Sequence, residues 1–102
     1  MKTLTTLLTA ASLALTANLA LARDLGLDEA MRLRDAGTIL SFEKLNEAAL
    51  AKHPRGKIED TELEEEYGRY IYQVEVRDTK GVQWDLDIDA TSGEVLKNQQ
   101  DD

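Results

Sequence analysis

The chain contains no cysteine, one proline, one histidine, and single phenylalanine and tryptophan residues among an aromatic fraction of 5%. Without cysteine there can be no disulfide staple, no thiolate metal ligand and no cysteine nucleophile. Any small exported domain built from this sequence must therefore hold by packing alone. A lone histidine, His53 between Lys52 and Pro54, cannot by itself supply a zinc site or a triad. Its position suits a cation at a helix C-terminus. Basic residues are also scarce, 12 Lys and Arg against 20 Asp and Glu, for a net charge of −8. That balance excludes sequence-independent nucleic-acid binding, which needs clustered positive charge to meet phosphates. It suits a soluble protein that resists self-association, or one whose partner is basic or a cation.

Only one stretch is strongly apolar, and it lies at the N-terminus. Lys2 gives a positive start, Leu4 to Leu15 is apolar apart from Thr and Ser, and Ala20-Leu21-Ala22 is a small-x-small cleavage site before Arg23. The three parts make a secretory signal peptide over residues 1–22, cleaved after Ala22. Asn18 and the scattered Thr break the run short of a membrane span, so no stable insertion is expected after cleavage, and no lipid-anchor cysteine is present. The protein is then periplasmic or secreted. Cleavage removes Lys2 as the only charge and takes the net charge from −8 to −9. Residues 23–102 are enough for one small domain with one modest core.

The apolar residues that remain concentrate in Tyr70-Ile71-Tyr72-Gln73-Val74-Glu75-Val76-Arg77 and Val82-Gln83-Trp84-Asp85-Leu86-Asp87-Ile88-Asp89. Even positions are large and apolar and odd ones mostly polar, the period of a sheet with one buried face. A loop of Thr79-Lys80-Gly81, with Gly81 in the left-handed region, sets Val76 against Trp84, Val74 against Leu86 and Tyr72 against Ile88. A loop of even length would oppose inward and outward residues. The same register places Glu75 opposite Asp85 and Gln73 opposite Asp87 on the other face. Like charges directly opposed are destabilising, with diagonal Arg77 a partial offset.

Upstream, Leu25 to Ala36 predicts a short helix, with Asp28 and Glu29 near its start, a rough stripe of Leu27, Ala30, Met31 and Leu33, and Gly37 as its stop. Ser41 to Lys52 predicts a second helix, N-capped by Ser41, with Phe42, Leu45 and Ala49 on one face and Pro54 ending it. Lys57 to Glu65 predicts a first strand. Ile58 and Leu63 lie an odd number of residues apart, so either a bulge separates them or Ile58 belongs to the corner. A loop over Glu66 to Arg69 brings Leu63 opposite Tyr72 and Thr61 opposite Val74. The expected fold is α+β: a three-stranded antiparallel meander with one helix packed on its apolar face, preceded by a short helix. After Glu94-Val95-Leu96 the tail from Lys97 is polar and expected to fray.

The Tyr70 to Val76 strand, Gly81 and the close Asp87-Ile88-Asp89-Ala90-Thr91-Ser92-Gly93-Glu94-Val95-Leu96 resemble the PepSY domain. Leu33 to Ser41 is similar to small proteobacterial members of that family. The resemblance covers about residues 27 to 97. It implies a non-catalytic module, found in propeptides of secreted metallopeptidases, in spore germination proteins and as small exported proteins, and proposed to restrain peptidases in the cell envelope. It carries over no catalytic or binding residue.

From the residues themselves, no catalytic constellation and no cofactor is expected. The candidate partner- or cation-binding residues are Glu75, Asp85, Asp87 and Asp89. Asp85, Asp87 and Asp89 begin like an EF-hand loop, but Ala90 stands where Gly is needed and Leu96 where a bidentate Glu belongs. On a strand they line one face at steps of about 7 Å, and with Glu75 they offer a surface to a divalent cation such as calcium or to a basic peptide. The expected partner is an envelope protein, in the specific version a peptidase. A homodimer through a sheet edge is a further expectation, because the outer strands of a meander are open to β-addition.

Overall fold

The computed structural model describes residues 22–101. The leader expected over residues 1–22 lies outside the described residues, apart from Ala22. Five strands form one antiparallel sheet in sequence order: β1 (Ala22–Leu25), β2 (Lys57–Glu66), β3 (Arg69–Arg77), β4 (Gln83–Asp89) and β5 (Val95–Gln100). Between β1 and β2 the chain makes helices α1 (Leu27–Asp35) and α2 (Phe42–Lys52). The class is α+β, with the expected two helices but five strands in place of three.

The central register is the one that alternation predicts. Val76 faces Trp84, Val74 faces Leu86, and Tyr72 faces Ile88. Gly81 takes φ +84°, and Asp78 N–H donates to the Val82 carbonyl at 2.8 Å across the hairpin mouth. Leu63 faces Tyr72 and Thr61 faces Val74, but the corner is tighter than expected. Glu66 pairs with Arg69, leaving Tyr67 (φ 51°) and Gly68 (φ 80°) as a two-residue turn whose twist matches the strands. A bulge between Ile58 and Asp60 resolves the parity conflict in β2 and lets Ile58 face Val76.

Two strands were not foreseen. Ala22–Leu25, in part assigned to the first helix, instead pairs with Glu66–Leu63 as β1, and α1 starts only at Leu27. The apolar close Val95-Leu96 and the tail from Lys97, expected to fray, together pair with β4 as β5, from Val95 against Ile88 to Gln100 against Trp84. Neither segment alternates, because an edge strand buries little and is held by the ladder of its neighbour.

The core lies between the sheet and α2. Leu45 and Ala49 of α2 have no exposed surface and pack on Val74, Val76, Leu86 and Ile88. Ser41 caps α2 by accepting from Lys44 N–H at 3.2 Å. Gly56 sits where any Cβ would lie 2.8 Å from both the His53 carbonyl and Val76 Cγ1, so the chain leaving α2 can pass this close only as glycine. Helix α1 ends as predicted at Gly37 (φ 77°), where Thr38 N–H donates to Leu33 O and Gly37 N–H to Arg34 O. Its stripe, however, is mostly outside the core: Ala30 is buried, Leu33 partly so, while Leu27 is 71% and Met31 39% exposed.

Candidate functional site

Both helices lie on one side of the sheet, which leaves the other side as an outer face. Alternation sends Gln73, Glu75, Asp85 and Asp87 there, while Val74, Val76, Leu86 and Ile88 turn to the helices. Ile71 is the apolar exception, buried on the outer face between Glu64 and Asp89. The register that pairs Thr61 with Val74 continues to Asp60 opposite Glu75 before the bulge interrupts it, so Asp60, Glu75 and Asp85 stand in one row across three strands. The next row runs Glu62, Gln73, Asp87 and Lys97. Together these rows border a shallow depression of about 210 Å³ with Gln73 and Glu75 in its floor.

The electrostatics follow from the rows. Partial burial, with Asp60 and Asp85 on either side, pushes the Glu75 carboxyl above its ordinary range. Glu64 is raised by burial and by Glu66, with Asp24 and Asp87 adding to it. Among the described residues the nearby guanidiniums are engaged elsewhere. Arg77 bonds Glu59 at 3.0 Å and Arg69 bonds Asp89 at 3.1 Å. Glu75, Asp85 and Asp87 form no ion pair among the described residues, and negative potential collects between them.

The four residues singled out by sequence therefore separate into three and one. Glu75, Asp85 and Asp87 share the depression. Asp89 is occupied with the turn that follows β4: its Oδ1 accepts from Thr91 N–H at 2.9 Å and Ser92 N–H at 3.2 Å, and its Oδ2 meets Arg69. Burial alone would raise its carboxyl, but Arg69 and these two N–H donors outweigh it and hold Asp89 below the usual carboxylate range. Ala90 beside it is fully buried, donates to Tyr70 O at 2.8 Å and accepts from Leu40 N–H at 2.9 Å. Gly93 closes the turn at φ 82°. The Asp-Ala-Thr-Ser-Gly stretch is thus a turn clamp that ties the α1–α2 connection to the sheet.

Asp60 and Glu62 were not picked out from sequence, although the β2 register carried one residue further already implied them. No three carboxylate or imidazole groups among the described residues gather closely enough to hold a metal ion. His53 caps the C-terminus of α2, with its ring 4.6 Å from that of Trp84 and its Nε2 2.8 Å from Asn98 Oδ1. The Trp84 indole N–H in turn donates to Asp78 at 3.0 Å. These contacts are between side chains that fix the α2–β4–β5 corner. No helix among the described residues is long and apolar enough to cross a membrane.

A two-helix layer on one face of an antiparallel meander, with the other face carboxylate-rich, defines a small α+β module. Residues 39–98 match the PepSY family, described as "Peptidase propeptide and YPEB domain", and the chain belongs to that family. It is also similar to the "Uncharacterized protein YkoJ" of Bacillus subtilis (strain 168), with 28% identity over 76 residues. That alignment takes in 74% of this chain and 44% of the relative, so the chain spans less than half of that protein's length. No solved structure matches the chain.

Proposed function

We propose that this PepSY domain is an exported, non-catalytic binding module that restrains a peptidase or regulates another envelope protein. The observation that carries the reading is the outer sheet face. Its central carboxylates, Glu75, Asp85 and Asp87, share a shallow depression in which Glu75 is partly buried and crowded by Asp60 and Asp85, and they lack ion-pair partners among the described residues. A protein under no demand but stability gains by replacing such a cluster, whereas a basic partner surface turns the repulsion into attraction and speeds encounter. The family match supports the peptidase version, because the domain type takes its description from peptidase propeptides.

The test is inhibition. The purified protein is added to secreted metallopeptidases with basic surfaces, and initial rates on a fluorogenic peptide are followed. Inhibition is expected to weaken by about tenfold or more when Asp85→Asn and Asp87→Asn are combined, a loss of about 1.4 kcal/mol of binding. Unchanged peptidase rates at saturating protein, across the panel, would discard the peptidase version.

A second reading gives the same carboxylates a loosely held, hydrated divalent cation, since no three of them among the described residues converge on one ion, and it would relieve the repulsion that Asp60 and Asp85 add to the burial raising Glu75. Calcium should then raise the melting temperature of the protein, and the Asp85→Asn/Asp87→Asn variant should lose that shift. A melting temperature indifferent to calcium removes this reading.

A further inference from the structure

We propose a second binding site, at the sheet edge and adjoining the outer-face depression only along Asp60 and Glu62: the uncovered half of the β2 edge and the apolar groove beside it receive an extended polypeptide segment as a sixth strand. The segment is alternating in character, with apolar side chains toward the helices and basic ones toward the outer face.

The edge is left open by the length of β1. Its four residues pair with Leu63–Glu66 alone, and at Gly26 the chain leaves the sheet for α1. On that side Lys57–Glu62 pairs with no described strand, and Glu59, Asp60, Thr61 and Glu62 are all exposed. Such a row of backbone donors and acceptors is a template for β-addition. The bulge at Glu59 breaks the template at its far end and leaves Asp60–Glu62, continuous with the β1 pairing, as the usable part.

Beside this edge, on the helix side, lies a groove of about 430 Å³ between β2, α1 and α2. Leu25, Leu27, Phe42, Leu63 and Tyr72 line it. Of the polar groups there, Tyr72 and Asn46 are matched to each other, the Tyr72 hydroxyl donating to Asn46 Oδ1 at 2.8 Å, and Thr61 and Glu62 stand at the rim by the β2 edge. A space of this kind favours aliphatic or aromatic side chains, and it gives a use to Leu27, which stands 71% exposed on the same helical face as the buried Ala30.

Parity then selects the occupant. A strand laid along β2 has its side chains about 4.5–5.5 Å from those they face. Those beside Thr61 lie on the groove side, as Leu63 does, and those beside Asp60 and Glu62 lie on the outer face. Apolar residues fit the first set, and Lys or Arg the second. The same carboxylates argue against a second copy of this chain, which would bring its own Asp60 and Glu62 alongside. A basic, alternating segment meets no such obstacle.

The experiment uses the isotope-labelled protein and a synthetic peptide of about seven residues that alternates lysine and leucine, near the usual strand length. Binding is read by fluorescence anisotropy and by backbone amide shifts and exchange. The alternating peptide should bind, slow amide exchange within Asp60–Glu62, and lose about tenfold or more in affinity when its residues are rearranged to break the alternation. Leu27→Asp, at an exposed position that leaves folding intact, should weaken binding by a similar factor. Asp85→Asn with Asp87→Asn should leave it within about twofold, which separates this site from the outer-face reading. Any of four results overturns the proposal. They are no binding, equal binding of the rearranged peptide, amide shifts centred on Glu75, Asp85 and Asp87, or a free protein that is already a dimer with Asp60–Glu62 protected.

Discussion

Aspartate and glutamate do opposite jobs in this domain depending on what surrounds each one. Asp78 accepts from Trp84 Nε1, Val82 N–H and Lys80 N–H, which hold its carboxyl below the usual range. Its contribution to stability is present above the ordinary aspartate range and is lost as pH falls through the depressed value. Glu75 is the reverse case, raised by partial burial and by Asp60 and Asp85. A raised carboxyl stabilises the fold fully below the ordinary value of 4.5 and loses that contribution as pH rises through the folded value. Glu75→Gln should therefore raise the melting temperature at neutral pH, and the gain should vanish where the wild-type carboxyl is protonated. Thermal melts of both proteins across the acid range check this. An equal gain at every pH would place its origin outside the charge. The outward placement of Glu75, Asp85 and Asp87 was legible from alternation alone. The different fate of Asp89 was not, because it depends on Arg69 at the far end of β3 and on a turn conformation.

Elements differ in how far local pattern determines them. Helix α2 carries a cap, a stripe and a proline stop, and forms where these predict. Leu45, at its centre, is fully buried against the sheet. Leu45→Ala should cost about 2–5 kcal/mol by lost burial and the cavity left behind. Against the about 5–15 kcal/mol typical of small domains, that is a large fraction, and it should appear as a lower urea midpoint with little change in slope. A loss below about 1 kcal/mol would mean that α2 does not anchor the core as described. Strands β1 and β5 stand at the other extreme. Ala-Arg-Asp-Leu has no strand pattern, and it is held by pairing with β2 and by Arg23, which bridges Glu65 and Glu29 at 3.0 Å each. The segment Val95–Gln100 reads as a short apolar close and a polar tail from Lys97 until β4 offers it a ladder, and Asn98 then reaches His53. Pairing partners, not propensity, make these two strands.

For the whole molecule the excess of 20 acidic over 12 basic residues sets the balance of long-range forces. Much of that excess stands on one sheet face, so folding concentrates repulsion that the unfolded chain spreads out. Raising sodium chloride from about 0.01 M to about 0.15 M shortens the screening length to about 8 Å and should raise the melting temperature. Scans over that range check it. A flat or falling profile would mean that ion pairs such as Arg69–Asp89 outweigh the repulsion.

The sequence by itself determined the α+β class, the two helices, the central register and the side on which each β3 and β4 residue stands. These follow from period, caps, glycine positions and parity, all of which act between residues close in the chain or joined by one short loop. Only the tertiary structure decided that the sheet has five strands and that half of the β2 edge stays open beside an apolar groove. Those features depend on which backbone finds a partner across a long separation. A polar, unpatterned segment carries no local mark of the strand it will join.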